Sequence, residues 1–292
     1  MSFDIITDSS ANLPDEMIKE YGLRILPLEF NVDGVSYNGY AEGVATNNRQ
    51  FYDMMRKGKV VKTSQANLRD AEAGLIAAFD SGRDVLYIGF DSALSGTYEA
   101  VSSLMDAIQR ERYPERKLRC VDSLAAALGE GLLVIAAAKR KREGASLDEL
   151  ADWVADRRLY FAHWFTVDDL RYLQRGGRLS KGVALAGTLL NIKPILQVDA
   201  IGRLVPVDKV RSRKKSIHAL YERFAATAAK PMHEQPVYIS HGDCPEDAAY
   251  LVELIRENHG VTDFVVNDLD PVIGAHAGPG TVALFFPSDT SR

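Results

Sequence analysis

The sequence has only two cysteines, Cys120 and Cys244, among 292 residues. They lie far apart and form no CxxC pair, so the sequence predicts neither a disulfide framework nor a zinc site. Basic charge is also scarce, since 35 Lys and Arg against 40 Asp and Glu give a formal net charge of −5. A mildly acidic balance gives no overall electrostatic attraction for a polyanion, and we expect no nucleic-acid partner.

No apolar run approaches the roughly 20 residues that a membrane-spanning helix needs, and the N-terminal residues do not resemble a signal peptide. We therefore expect a soluble, cytoplasmic protein. The sequence contains no Walker A motif, no HExxH, no GxSxG and no recognisable Ser, His and acid triad. Direct support for catalysis is small, and the sequence predicts no metal or cofactor.

What is present is a repeated order of strand, polar loop and helix. Residues 84–90 (DVLYIGF) form a continuous apolar run, which is typical of a buried parallel strand. Residues 23–30 are predicted to form one strand, and Asp33-Gly34 a turn after it. Near residue 155 the pattern changes, and residues 193–210 are predicted to form two strands joined at 199–202. The chain is therefore predicted to fold as two closely packed α/β domains, with a ligand cleft between them.

Three polar loops follow predicted strands and precede predicted helices, at residues 8–10, 92–97 and 122–123. Ligands of open α/β sheets bind beyond the carboxyl ends of strands, where helix N-termini hold anions. Serines in such loops also cap helices, so for each loop the alternative to a ligand contact is that its serine only caps the following helix. Three loops of this kind together favour a ligand site.

Two further segments carry candidate ligand contacts. The hydroxyls of Thr63 and Ser64, in the sequence KTSQ, can donate to a carboxylate or a phosphate, or they can cap the helix predicted at Leu68. Residues 274–280 (GAHAGPG) combine three glycines, which permit close backbone approach, with His276 as an anion contact or a structural residue.

The remaining candidates are surfaces and an apolar segment. Residues 174–178 and 209–215 are basic, which fits a solvated face or a docking surface for an acidic partner or a phosphorylated head group. Residues 182–196 are small and apolar. They are predicted to lie in the core or to line a narrow pocket for an alkyl chain.

Nine short segments of the chain occur in an order that matches one known family. They are residues 7–14 (TDSSANLP), 27–28 (PL), 62–65 (KTSQ), 94–98 (LSGTY), 121–123 (VDS), 176–180 (GGRLS), 190–195 (LNIKPI), 209–211 (KVR) and 274–280 (GAHAGPG). As an ordered set they resemble the DegV family over essentially the whole chain.

The resemblance implies a two-domain α/β fold with a ligand tunnel at the domain interface. Residues 1–155 would form an N-terminal domain with a mostly parallel sheet flanked by helices, and residues 156–292 a C-terminal α/β domain with a mixed sheet. The tunnel would bury one long-chain fatty acid. The protein would present its carboxylate to a separate ATP-dependent fatty acid kinase, which makes acyl phosphate for phospholipid synthesis. It would then be a carrier and not an enzyme, with transient membrane contact allowed.

The resemblance also implies roles for particular residues. The carboxylate would be bound by Thr63, Ser64, Ser92, Ser95, Gly96 and His276. Arg178 and Arg211 would contact the kinase. Asp91 departs from the family pattern, which usually has serine there, so we expect its carboxylate to face away from the ligand or to accept a backbone N–H. The alternative function is a stand-alone phosphotransferase or hydrolase that uses Ser92 and His276.

Overall fold

The computed structural model describes residues 2–41, 43–44, 46–179 and 191–292. In the N-terminal half, four parallel strands form one sheet. In spatial order they are β2 (Arg24–Leu26), β1 (Phe3–Asp8), β6 (Asp84–Gly89) and β7 (Leu118–Asp122). Every residue of β6 is buried, as its continuous apolar sequence predicts for a strand covered on both faces.

A small antiparallel sheet stands beside the parallel one and was not predicted. Its strands, in spatial order, are β4 (Val35–Asn38), β3 (Glu29–Val32) and β5 (Val61–Ser64). The prediction of one strand over residues 23–30 is therefore wrong. Pro27 has no N–H to donate, and the Leu28 N–H leaves the ladder to donate to Ser9 Oγ at 3.0 Å. The chain passes here from the parallel sheet to the antiparallel one.

The C-terminal half contains a mixed sheet. Its strands, in spatial order, are β10 (Leu204–Arg211), β9 (Ile192–Val198), β8 (Phe161–Thr166), β13 (Val282–Pro287), β11 (Val237–His241) and β12 (Phe264–Asp268). Only β11 and β12 pair in parallel among these neighbours. The prediction of an α/β fold with a mostly parallel N-terminal sheet and a mixed C-terminal sheet is confirmed.

Helices cover the sheets. In chain order they are α1 (Asp15–Tyr21), α2 (Asn48–Arg56), α3 (Leu68–Asp80), α4 (Thr97–Arg112), α5 (Leu128–Arg142), α6 (Leu147–Arg157), α7 (Arg171–Arg175), α8 (Arg213–Thr227), α9 (Pro245–His259) and α10 (Pro271–Ala277). Helix α6 was not predicted from the sequence, although Ser146 and Glu149 form a capping box at its start. Helix α6 spans the predicted domain boundary at residue 155, which stays a prediction.

Strand β13 lies between two apolar cores, and its side chains point alternately into one core and the other. Ala283 and Phe285 face the core shared with the N-terminal sheet, whereas Val282, Leu284 and Phe286 face the core under α8 and α9. The first core is continuous between the two sheets. The face of the mixed sheet that carries Phe285 is therefore turned toward the parallel sheet.

Candidate functional site

The three polar loops lie together at the carboxyl ends of β1, β6 and β7, as predicted. Much of their polarity serves the backbone locally. Asp8 Oδ2 accepts the Phe90 N–H at 2.9 Å, Ser95 Oγ accepts the Thr97 N–H at 3.2 Å, and Ser123 Oγ accepts the Ala125 N–H at 3.1 Å. These are mostly turn and tertiary contacts rather than helix caps, since neither α4 nor α5 begins with a side-chain cap hydrogen bond.

A cavity lies between this edge of the parallel sheet and the inner face of the mixed sheet, with about 810 Å³ of empty space including its open part. Its wall is mostly apolar and draws on both halves of the chain. Its members include Phe90, Leu94, Ala126 and Ala127 from the loops, and Phe165, Val198, Leu204, Ala283 and Phe285 from the mixed sheet. A space of this size and character suits a small ligand with a long apolar part.

Polar side chains gather at one place in this wall. Thr63 Oγ1 and His276 Nε2 lie 2.8 Å apart, a hydrogen-bonded pair that joins residues 213 positions apart in sequence. Ser64, Ser95 and Arg178 belong to the same wall. The structure thus brings together four of the six residues assigned to the carboxylate: Thr63, Ser64, Ser95 and His276.

His276 is neutral at physiological pH. Burial, together with the positive charges of Arg178 and Arg175, lowers the pKa of its imidazole to about 4. The ring packs tightly on Gly176, where a Cβ atom would lie 2.1 Å from His276 Nδ1. A neutral ring beside a hydroxyl can bind one oxyanion without forming a salt bridge with it.

The structure corrects the local setting of both segments that carry this pair. Thr63 and Ser64 end strand β5 and do not cap a helix, because Asn67 caps α3 by accepting the Arg69 N–H at 3.0 Å. The glycine-rich segment containing His276 is not a loop throughout, since α10 runs to Ala277. Asp270 caps α10, and Gly278 then takes a positive φ of 85°. A short helix therefore aims His276 at the end of β5.

Arg178 lies in the cavity wall and is half-buried. Its Nε donates to the Leu94 carbonyl at 3.0 Å and its Nη1 to the Gly176 carbonyl at 2.5 Å. Burial lowers the pKa of the guanidinium, which nevertheless keeps its charge. Arg178 therefore places a fixed positive charge near Thr63 and His276, a setting that the sequence analysis did not foresee for a residue assigned to docking.

Ser92 and Gly96 are not among the residues that line the cavity. The Ser92 N–H donates to Asp122 Oδ1 at 3.3 Å, and Gly96 packs against Gln65, whose Nε2 would lie 2.4 Å from a Cβ atom there. Asp91 is fully buried and its Oδ1 accepts the Ala93 N–H at 2.8 Å. This backbone contact is one of the two arrangements expected for Asp91.

Comparison with known proteins identifies the family of this chain. The DegV family model, described as an uncharacterised protein of that family, matches residues 2–289. The chain belongs to the DegV family. A DegV domain-containing protein of Clostridium perfringens is 40% identical to it over 294 aligned positions, which cover 99% of each chain.

Solved structures of DegV proteins share the fold along its whole length. A DegV family protein from Thermus thermophilus, described for its fatty acid binding, has a TM-score of 0.85 and 28% identity, covering 99% of this chain and 100% of its own. DegV from Bacillus subtilis, described as a fatty acid binding protein, has a TM-score of 0.82 and 27% identity, with coverages of 99% and 100%. The α/β fold with a parallel and a mixed sheet is thereby confirmed, whereas the division into two domains and the tunnel stay predictions.

The other features expected of a DegV protein lie outside the cavity wall or outside the described residues. Arg211 is exposed at the end of β10. The apolar segment 182–196 falls largely outside the described residues, as does Ser180. No helix in the described ranges has both the length and the apolarity to cross a membrane. Within the same ranges, no cluster of three or more His, Cys, Asp or Glu is arranged to hold a metal ion.

Proposed function

We propose that this DegV protein binds one long-chain fatty acid in the cavity between its two sheets. The observation that carries this proposal is a mostly apolar wall in which a group of polar residues, among them Thr63, His276 and Arg178, lies at one place. Burial of each CH₂ group contributes about 0.8 kcal/mol, so a chain of about 16 carbons outweighs desolvation of a carboxylate that keeps hydrogen-bond donors. The fatty-acid-binding relatives of the same fold support the same ligand class.

The proposed ligand runs between the domains predicted at residues 1–155 and 156–292, in the tunnel that the resemblance implies. Thr63, Ser64, Ser95 and His276 bind the carboxylate, and Arg178 offsets its charge. Ser92 and Gly96 reach the carboxylate only if their loop moves. The donors are mostly neutral, so a carboxylate oxygen stays free to attack the γ-phosphate of ATP.

We further propose that the protein is a carrier that presents this carboxylate to a separate fatty acid kinase in the cytoplasm, for phospholipid synthesis. Exposed Arg211 is the proposed kinase contact. Arg178 lies in the cavity wall, so it contacts the kinase only if the kinase reaches the opening of the cavity. The alternative of a stand-alone phosphotransferase or hydrolase has less support, since His276 contacts Thr63 and Ser92 does not line the cavity.

Mass spectrometry of the purified protein tests the binding function directly. Under native conditions we expect a mass excess that corresponds to a C14–C18 fatty acid, and under denaturing conditions we expect the excess to disappear. If no excess appears and added palmitate also fails to bind, the protein is not a fatty-acid carrier. Turnover of ATP or esters by the isolated chain would instead favour the enzymatic alternative.

Thr63→Val is expected to weaken palmitate binding by about 10- to 100-fold, because a buried charged acceptor loses a donor worth about 1.5–3 kcal/mol. Titration calorimetry of the delipidated protein measures this change. Thr63→Ser keeps the hydroxyl and serves as the matched control, with an affinity close to that of the unchanged protein. Equal palmitate affinities for the Val and Ser variants would exclude Thr63 from the carboxylate site.

His276→Ala is expected to lower acyl phosphate formation by a partner kinase and ATP at least about tenfold, and to lower palmitate affinity much less. The Thr63 hydroxyl loses its partner in this variant and stays available to the carboxylate. Phosphorylation assays at saturating palmitate separate the two effects. Unchanged phosphorylation would remove His276 from the presentation step.

A further inference from the structure

His163 is a buried polar residue in the apolar part of the cavity wall. It lies on strand β8, lines the cavity and is 2% exposed. Neither Nδ1 nor Nε2 has a hydrogen-bond partner within the part of the chain that the structure describes. Buried polar groups in folded proteins nearly always have such a partner. The contacts of the fold therefore do not explain why a histidine occupies this position.

The ring is held firmly in place. It packs in a T-shaped arrangement with the ring of Phe285, with 5.3 Å between centroids and the planes 88° apart. On α5, Gly129 approaches so closely that a Cβ atom would lie 2.8 Å from His163 Cε1. Burial, together with the charge of Arg292, holds the pKa of His163 well below its usual range. A fixed, neutral imidazole offers one donor and one acceptor.

His163 borders two cavities. The first is the apolar one, and the second, of about 430 Å³, is lined by polar residues that include Gln197, Thr227, Ser288 and Arg292. Water in the polar cavity can satisfy one ring nitrogen. On the apolar side, the immediate neighbours Phe165 and Phe285 offer no hydrogen-bonding group. A nitrogen facing that side can be satisfied by a polar atom of the ligand itself.

The strand register gives the distance along the mixed sheet from the end of α10, the helix that carries His276, to His163. Thr281 lies beside the end of α10, where its Oγ1 donates to the Ala277 carbonyl at 3.0 Å, and it lines the cavity. Phe285, which pairs with His163, is four residues further along. At about 3.4 Å per residue the two points are about 14 Å apart. An extended carbon chain advances about 1.2 Å per bond, so roughly 12 bonds separate them.

We propose that His163 hydrogen-bonds an oxygen on the acyl chain, and that the cavity prefers a fatty acid with a hydroxyl group near carbon 12. A hydroxyl both donates and accepts, so it matches either tautomer of the ring. A plain acyl chain leaves this ring nitrogen without a hydrogen bond. The hydroxyl of a hydroxylated chain gives up its hydrogen bond to water on binding and forms one with His163 in its place. This inference rests on the proposed fatty-acid function and specifies its ligand class.

The test compares two ligands and two proteins. Titration calorimetry measures the affinities of stearate and 12-hydroxystearate for the delipidated protein and for His163→Phe, which keeps an aromatic ring and removes both nitrogens. We expect the preference for 12-hydroxystearate over stearate to fall at least about tenfold in the variant. Phe165→Leu is the matched control, because it alters the neighbouring wall without changing polarity. It is expected to change both affinities in the same proportion.

The outcomes separate this inference from the proposed function. Failure of the unchanged protein to bind stearate and 12-hydroxystearate alike contradicts the fatty-acid function itself. Binding of stearate, with the same ligand preference in His163→Phe, contradicts only the role of His163. If the Phe variant does not fold, His163→Leu replaces it. A crystal structure with 12-hydroxystearate provides a check without any variant, since a hydroxyl beyond hydrogen-bond distance of both nitrogens overturns the inference.

Discussion

Replacement of Asp91 by asparagine is expected to raise the free energy of unfolding at pH 7 by about 2–4 kcal/mol. Asp91 is fully buried, and its Oδ2 has no hydrogen-bond partner among the described residues. Burial first, and then the negative charges of Asp122 and Asp199, raise the pKa of its carboxyl to about 8, although Arg292 acts in the opposite direction. The folded protein therefore holds Asp91 protonated at pH 7, whereas the unfolded chain ionises it.

The effect has a defined dependence on pH. A carboxyl whose pKa is raised on folding contributes its full stability below its ordinary pKa of 3.8, and this contribution is lost as pH rises toward 8. Asparagine resembles the protonated carboxyl and does not titrate. The difference between Asp91→Asn and the unchanged protein should therefore grow from pH 4 to pH 8, and urea unfolding across this range measures it.

Asp289→Asn is the control for the Asp91 experiment, because it makes the same chemical change at an exposed position. We expect it to alter the free energy of unfolding by less than about 0.5 kcal/mol at each pH. A lower stability of Asp91→Asn at every pH would mean that Asp91 is ionised and paired with Arg292. A neutral Asp91 also explains how a carboxyl is tolerated at a position where related proteins are expected to have serine.

The sequence predicts the N-terminal sheet well and its neighbour poorly. Strand β6 is recognisable because both of its faces are buried and its sequence is apolar throughout. Residues 23–30 are also largely apolar, but the path of the chain at Pro27 depends on Ser9, which lies in the turn after β1. The three-stranded sheet shows no local signal beyond its Asp33-Gly34 turn, because its pairing is decided by contacts between distant segments.

The ligand site was likewise predictable from the sequence only in part. Strand ends, serines and the glycine-rich segment indicate candidate contacts one by one, but no local signal joins Thr63 to His276, because their pairing spans 213 positions. His163 carried no signal, since a single histidine in an apolar strand is commonly a structural residue. Its unpaired nitrogens become visible only when the whole surrounding wall is known.

Gly176→Ala is expected to lower acyl phosphate formation by a partner kinase at least about tenfold, as His276→Ala does, and to lower the free energy of unfolding by about 1–3 kcal/mol. Gly176 has a φ of −72°, so its backbone accepts alanine without strain. The new Cβ atom would, however, lie 2.1 Å from His276 Nδ1. The helix that carries His276 has no room to retreat, since a Cβ atom at Gly274 would lie 2.5 Å from Tyr52 Oη.

The protein can make room for this Cβ atom in two ways, and both disturb the carboxylate site. Rotation of the His276 ring breaks its contact with Thr63, and displacement of Gly176 moves the carbonyl that accepts from Arg178. Gly74→Ala on α3 is the matched control, because its Cβ atom would meet Leu26 at an ordinary 3.8 Å. We expect it to stabilise the protein by about 0.5–1 kcal/mol and to leave acyl phosphate formation unchanged. Normal acyl phosphate formation in Gly176→Ala would show that the position of the His276 ring does not govern the presentation step.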